Sequence, residues 1–382
     1  EITISQASAL LPGSTDVGLQ GIVFDGEKTK LPRFDGSVDL STNNMRGLLS
    51  WVGVDVAAIP QDRLRKLTFG GKVLADAKAA TLQDITVQMD GTKLTGAATV
   101  AFRARPSFGI DLAIDRLNLD GYSPKAKAIK PAVKSVGKPA VNKGASAAKT
   151  KSAPPPNLLA GLAVLGDFDA NVNVRLKALT VKDVPISGLS LRAKIFDGAL
   201  TLTKFQTANA AGLAVDVSGS ILGLKKTKGI LDPSFDNFKF NIRGKSLARL
   251  LSLAKITPPI PTRQIGAVRL TGTVSGKPRA MRVTTNTSML GGKFTLNGLV
   301  EPLRAKPRVD GTFSATHSSL IKLVTRLGSS YRPRRKNIGG VDLRGTLKGN
   351  TEKMNFPSLS GKAAGITIQG TAATDLTGLR PK

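Results

Sequence analysis

Apolar and polar residues alternate with a period of two in segment after segment of this chain. Successive side chains of a β-strand point to opposite sides, so the alternation predicts strands that carry one apolar and one polar face. Such strands are typical of antiparallel sheets with one face in water. The apolar residues of the four clearest segments are Ile110, Leu112 and Ile114, then Val172, Val174 and Leu176, then Leu189, Leu191 and Ile195, and finally Phe238, Phe240 and Ile242.

The sequence also repeats itself. Residues 32–36 (PRFDG) and 307–311 (PRVDG) share a Pro-Arg-apolar-Asp-Gly string, which each time opens an alternating segment that is followed by a short amphipathic one. Units of this kind cannot bury an apolar face singly, so we expect neighbouring units to join edge to edge in one continuous sheet. With the weaker copies included, the units are marked by Gly21, Gly96, Gly219, Gly298 and Gly370.

We therefore predict a mainly β fold, an elongated and curved antiparallel sheet of about 16 to 20 strands arranged in repeating, groove-forming units. A few short helices, expected near residues 44–54, 246–256 and 318–327, connect the strands. The unit around Val172 is longer than the others, and we expect it to carry an extra hairpin. The chain begins inside one unit and stops inside another, which predicts that it is a slice of a longer protein.

One segment breaks the pattern. Residues 121–157 contain eight lysines and no acidic residue, and most of the remainder is Ala, Pro, Ser and Gly. A stretch without a periodic apolar face cannot offset the entropy lost on ordering, so we predict a disordered linker over residues 123–156. The expected organisation is therefore β-groove repeats over residues 1–122, the linker, and further repeats over residues 157–382, with the first and last units incomplete.

The composition excludes several chemistries. The chain has no cysteine and one histidine, His317. Without thiols there is no disulfide framework, thiolate nucleophile or Cys-ligated metal, and one imidazole cannot form a histidine cluster. We predict a protein that is not an enzyme and that uses no metal and no cofactor. The longest uncharged apolar stretch, residues 158–165, is also far shorter than the roughly 18 to 20 residues that cross a bilayer.

The formal net charge of +30 predicts an anionic partner, which by charge alone could be nucleic acid, anionic lipid headgroups or lipopolysaccharide phosphates. One Trp and two Tyr offer few stacking platforms, so specific nucleic-acid binding is disfavoured. The densest basic cluster has two interpretations, contact with headgroups or other polyanions and an ordinary solvated loop. It comprises Arg332, Arg334, Arg335 and Lys336.

The apolar face of so wide a sheet must be covered by a second sheet, by helices or by an apolar ligand. Three short helical segments are too few to cover it. Two alternatives remain on the alternation pattern alone: a groove that accepts apolar guests, and a closed sandwich or barrel filled by its own side chains.

Longer strings carry a family resemblance. Residues 44–54 (NMRGLLSWVGV), 9–41 and 168–219 resemble AsmA-family proteins of Gram-negative bacteria, a family that includes TamB-related bridge-like lipid transport proteins. The resemblance covers nearly all of the chain outside the lysine-rich linker and rests on loose hydrophobic motifs. It implies a long periplasmic β-groove in an inner-membrane protein whose N-terminal anchor would lie upstream of this chain.

The function that this resemblance implies is transport without chemistry. Phospholipid tails would lie against the twelve apolar residues of the four alternating segments while headgroups stay in water, which supports outer-membrane lipid homeostasis and assembly. The implied partners are phospholipids, an anionic membrane surface and outer-membrane assembly proteins. The alternative is a periplasmic scaffold or interaction protein whose repeats span distance and dock assembly machinery.

Overall fold

The computed structural model describes residues 1–25, 32–123, 162–225, 231–253, 262–327, 338–350 and 352–375. Strands make up 66% of these residues and helices 10%. All nineteen strands belong to one curved open sheet, which confirms the predicted fold class.

The strands are nine to thirteen residues long. They are β1 (Ile2–Leu11), β2 (Thr15–Phe24), β3 (Arg33–Thr42), β4 (Leu67–Ala75), β5 (Ala79–Met89), β6 (Thr92–Ala101), β7 (Ser107–Asn118), β8 (Asp169–Val181), β9 (Val184–Phe196), β10 (Ala199–Ala210), β11 (Leu213–Leu222), β12 (Ser234–Gly244), β13 (Val268–Lys277), β14 (Ala280–Met289), β15 (Gly292–Glu301), β16 (Arg308–His317), β17 (Val341–Asn350), β18 (Lys353–Ala363) and β19 (Ile366–Asp375).

The helices are short, and three of the four α-helices lie within the segments that the sequence predicts, whereas the helix at Thr262–Ile265 was not predicted. They are α1 (Met45–Trp51), α2 (Ala248–Leu253), α3 (Thr262–Ile265) and α4 (Leu320–Arg326), with single 3₁₀ turns at Leu119–Tyr122 and Ala163–Gly166. Side chains cap two of them, because Asn44 accepts a hydrogen bond from the Gly47 N–H and Ser319 accepts one from the Lys322 N–H.

Strand direction places all four α-helices at the same ends of the strands. α1 follows β3, α2 and α3 follow β12, and α4 follows β16. We call this side of the sheet the helical rim, and the opposite strand ends, which are joined by turns, the turn rim. Because the α-helices lie at one rim, they leave the broad faces of the sheet to other contacts.

Each strand pairs with the strand that precedes it in the chain and the strand that follows it, from β1 to β19. The pairing is antiparallel throughout, as predicted, with one exception. β7 and β8 are parallel, with Ser107 opposite Asp169 and Asn118 opposite Thr180. Asn118 therefore ends β7 at the helical rim and Asp169 opens β8 at the turn rim, so the two strands are not joined by a hairpin. The strands on either side of this connection belong to the same sheet.

The parallel pair compensates for an odd number of strands. The glycines that mark the units lie in β2, β6, β11, β15 and β19, so only the second step contains five strands where the others contain four. The predicted extra hairpin is thus one extra strand. In a purely antiparallel sheet this strand would reverse every later unit, whereas the parallel β7–β8 pair keeps all units in one orientation and all helices at the helical rim.

β-bulges keep the apolar residues on one face where the alternation in sequence slips. β5 shifts register between Leu82 and Ile85, and β12 does so between Phe235 and Phe238. In each case a short polar residue within the shift adopts the left-handed conformation, Asp84 at φ 50° and Asn237 at φ 46°. Such residues tolerate this conformation better than most, and the bulge turns the next apolar side chain back to the face of the previous one.

The sheet forms a single layer. Extensive contacts in the described part of the chain are those between neighbouring strands, and the α-helices contact the strands only sparsely. Most fully buried residues lie at strand ends. Those at the helical rim include Thr15, Thr42, Leu213, Val268, His317 and Val341, and those at the turn rim include Ala170, Ile195, Ile221 and Leu224.

Candidate functional site

One row of residues crosses the entire sheet on its apolar face. It contains one residue from each strand, and each pair of neighbours lies directly opposite in register except Gly71 and Ile85, which lie within the register shift between β4 and β5. Every member is apolar or glycine apart from Thr285. We call this set the central row. It consists of Ala7, Leu19, Val38, Gly71, Ile85, Gly96, Leu112, Val174, Leu191, Phe205, Val217, Phe240, Gly272, Thr285, Leu296, Phe313, Gly345, Leu359 and Gly370.

Four of the predicted lining residues belong to the central row, namely Leu112, Val174, Leu191 and Phe240. The structure brings the others to the same face in flanking rows. Ile110 lies opposite Val172, Ile114 opposite Leu176, and Leu176 opposite Leu189. Ile195 pairs with Ala170, Ile242 pairs with Leu270, and Phe238 pairs with Val274. The predicted set is therefore one patch spanning β7 to β12, although its role as a lipid-lining surface stays a prediction.

This face is partly open to solvent. Leu176 and Ile195 are each 6% exposed, whereas the other ten predicted lining residues are half-buried. Along the central row, the apolar side chains from Leu19 to Leu359 are likewise half-buried, apart from Ile85 at 6%. A core sealed by a second layer would hold such side chains below a few per cent. The exposure thus fits a single-layer sheet whose apolar face is left available for contact.

Two glycines on the apolar face lie beneath aromatic rings of a neighbouring strand. A Cβ added at Gly272 would lie 2.7 Å from Cζ of Phe240, which is directly opposite it on β12. A similar arrangement occurs on the same face near the start of the chain, where a Cβ at Gly21 on β2 would lie 2.9 Å from Cε2 of Phe34 on the neighbouring strand β3. Because the ring takes the place of a side chain on the neighbouring strand, the apolar surface continues across the glycine.

Charged side chains at the turn rim are arranged as ion pairs between adjacent turns. Lys277 Nζ lies 2.6 Å from Asp232, Lys306 Nζ lies 2.7 Å from Glu352, and Lys225 pairs with Asp197. These side chains are more than one-third exposed, so water and salt screen the pairs and each contributes little to stability. Each pair neutralises the charges of its own two side chains.

Perturbed carboxylates mark strand ends and turns. The pKa of Asp169 is lowered, first by the hydrogen bond from the Arg105 side chain and then by the Asp197 N–H. The pKa of Asp115 is lowered chiefly by the Lys93 N–H, which donates at 2.8 Å. In each case the charged carboxylate accepts hydrogen bonds that anchor the backbone, a structural task that requires no substrate. In the described part of the chain, no three His, Asp or Glu side chains converge as a metal site would need.

Part of the predicted site falls outside the described residues. This applies to Arg332, Arg334, Arg335 and Lys336, the predicted headgroup contacts, and to the lysines of the predicted linker. Their proposed contact with anionic surfaces stays a prediction.

The period-two alternation does not identify much of the central row. The unpredicted members include Leu19, Val38, Phe205, Val217, Leu296, Phe313 and Leu359. Their segments do alternate, but glycines and bulges interrupt the period. In β10, for example, the register shifts between Leu202 and Phe205. A sequence signal exists for three of them, because Leu19, Val217 and Leu296 each lie two residues before the marker glycine of their unit.

Comparison with known proteins gives no relative. No family model, no curated protein and no solved structure matches this chain. No helix within the described ranges is both long and apolar enough to span a bilayer.

Proposed function

We propose that this chain is a non-enzymatic phospholipid conduit in which acyl chains lie against the apolar face of the sheet. The observation that supports this proposal most strongly is the continuous central row. A half-open apolar surface that continues across nineteen strands, at about 4.8 Å per strand, extends for roughly 85 Å. That is several times the extent of an ordinary ligand pocket and suits guests that move along it.

The physical basis of such transport is uniform burial. Each acyl methylene that leaves water contributes about 0.8 kcal/mol, wherever along the row it is buried. Because the row has no charged member, a lipid would meet no position much more favourable than the next and could slide without deep traps. The headgroup stays in water beyond the strand ends. A surface of this kind equilibrates its two ends and needs an energy source or a sink elsewhere to impose a direction.

Residues 9–41, 44–54 and 168–219 resemble the AsmA family, and this resemblance supports a location in the cell envelope for this activity. Under the proposal the chain is a periplasmic segment of an inner-membrane-anchored protein that serves outer-membrane lipid homeostasis and assembly. Its partners are phospholipids, an anionic membrane surface and outer-membrane assembly proteins, without specific nucleic-acid binding.

The decisive experiment asks whether lipid occupies the apolar face in particular. A photoreactive amino acid is placed at Val174 or Phe240, both in the central row, and the protein is irradiated in cells. Matched controls are Asn173 and Lys239, which neighbour those residues in sequence but point to the polar face. We expect lipid adducts by mass spectrometry at the two central-row positions and none at the controls, together with phospholipid in the purified chain.

Absence of lipid in the purified chain, with equal labelling at all four positions, would refute the conduit. Protein adducts at the controls combined with a lipid-free apolar face would favour the second candidate, a periplasmic scaffold that docks assembly machinery.

A further inference from the structure

A cavity of about 860 Å³ opens on the polar face of the sheet, at the helical rim. It lies between the ends of β10 to β14 and the segment that leads into α2. Its walls are mostly small, with Ala208, Ala211, Ala214 and Ala267 among them. Its charged lining residues are all cations, Arg243, Lys245, Arg249 and Arg269, and no Asp or Glu lines it.

Two of these arginines form an uncompensated pair. Arg243 on β12 and Arg269 on β13 lie directly opposite in register, and neither makes an ion pair or side-chain hydrogen bond within the described chain. Like charges directly opposite on neighbouring strands are destabilising. At another place on the polar face, a lysine lies opposite an acidic residue on the neighbouring strand. Lys348 lies opposite Asp310, with Nζ 2.9 Å from the carboxylate.

The other two cations border the same space. The guanidinium of Arg249 donates to the Asp183 carbonyl at 2.6 Å, which holds this side chain across from the strands. Lys245 follows β12, and the turn after it is held by the Ala248 N–H donating to the Ser246 hydroxyl at 3.1 Å. The positive charges that line the cavity thus have no acidic counterion among the lining residues. A hydrogen bond holds the Arg249 side chain in place, and another holds the turn after Lys245.

We propose that this cavity binds a phosphate-bearing anion carrying two or more negative charges. Arginine guanidinium groups form paired, charge-assisted hydrogen bonds with phosphate oxygens, and one doubly charged anion would relieve the repulsion between Arg243 and Arg269. The volume is within the range of small-ligand sites, and the alanines leave room for the organic part of a phosphate ester. The site lies on the opposite face from the central row, so it goes beyond the proposed function and does not depend on it.

The test compares two double variants that remove the same net charge. Arg243→Gln with Arg269→Gln alters the cavity. Arg282→Gln with Arg344→Gln removes two exposed arginines of the polar face that do not line it. Isothermal titration calorimetry with sodium pyrophosphate at low salt is expected to show one site per chain in the wild type. We expect affinity to fall by about tenfold or more in the cavity variant and by less than about twofold in the control variant.

Further arms of the experiment distinguish the source of the phosphate. Vesicles of phosphatidylglycerol in phosphatidylcholine, and vesicles of phosphatidylcholine alone, are sedimented with each protein. Binding to the anionic vesicles that the cavity variant loses and the control keeps supports a lipid headgroup, whereas pyrophosphate binding without vesicle binding supports a soluble phosphate compound. Equal losses in the two double variants, or a wild type that binds neither probe, would overturn the site. Circular dichroism confirms that each variant is folded.

Discussion

The Nε of Arg105 donates a hydrogen bond to Oδ1 of Asp169 at 2.7 Å, although 64 residues separate the two in sequence. Arg105 precedes β7 and Asp169 opens β8, so the pair fixes the starts of the two parallel strands side by side. The same guanidinium donates to the Phe168 carbonyl at 2.7 Å and to the Gly166 carbonyl, and Asp169 also accepts from the Asp197 N–H at 3.0 Å. The return of the chain into the sheet is therefore held by one side-chain cluster.

This cluster predicts a pH dependence of stability. The pKa of Asp169 is lowered in the folded chain, mainly by Arg105, so its contribution is present above its unfolded pKa near 3.9 and is lost as pH falls through the lower folded value. We expect Asp169→Asn to lower the thermal midpoint at pH 7 and to weaken its further fall between about pH 5 and 3. Asp62→Asn, in which an exposed carboxylate 3.8 Å from Arg63 is removed, is the control. Parallel pH profiles for Asp169→Asn and the wild type would contradict the prediction.

Gly96 tests the close approach of strands at a unit's marker glycine. Its φ is +154°, and an added Cβ would lie 1.9 Å from the Asp111 carbonyl oxygen on β7. We expect Gly96→Ala to lower local stability by about 1 to 3 kcal/mol, read from amide hydrogen exchange in β6 and β7. Gly109→Ala is the control, because its Cβ would meet only the Thr99 Cβ at 3.6 Å. If the β6 and β7 amides of the Gly96→Ala variant exchange no faster than those of this control, the two strands accommodate a Cβ at position 96 and the prediction is wrong.

The stability cost of a buried charge tests whether the apolar face is open to water. Val174 is half-buried in the central row, whereas Leu213 is 3% exposed at the helical rim. An aspartate at position 174 would remain in contact with water, so we expect Val174→Asp to cost about 1 to 2 kcal/mol. Leu213→Asp would place a carboxylate in a sealed site and should cost more than about 3 kcal/mol. Hydrogen exchange of β8 and β11 reports both, and a penalty at position 174 as large as that at 213 would mean that the apolar face is closed.

His317 tests whether the helical rim is held together by polar contacts. The side chain is 7% exposed, its Nε2 lies 3.2 Å from the Leu290 carbonyl oxygen, and its Nδ1 accepts from the Ser319 N–H at 3.0 Å. It thus joins the turn after β14 to the start of α4. We expect His317→Phe to destabilise this rim by about 1 to 3 kcal/mol, because both backbone groups lose their partner. Protection of the β14 to β16 amides should fall, while that of β4 to β6 serves as an internal reference and should stay constant.

Alternation and repetition in the sequence predict the alternating strands, the single sheet and the positions of three of the four α-helices. The parallel pairing of β7 with β8 could not be predicted, because the alternation pattern of a strand is the same whichever way the strand runs. The extent of the central row was also hidden. Bulges at residues such as Asp84 and Asn237 change the spacing of apolar residues from two to three, so a strict period-two pattern breaks where the three-dimensional surface continues.

Pairing only between strands that follow one another in the chain has a consequence for assembly and for mechanical load. The sheet can form in the order of synthesis, because each new strand adds to an edge already present. The β7–β8 pairing requires the closure of a connection of about fifty residues. We therefore expect this pairing to be the slowest step of folding. In reverse, a force applied to the two termini would peel strands from the edges one at a time. Such a chain should unzip through many small steps where a globular domain would rupture once.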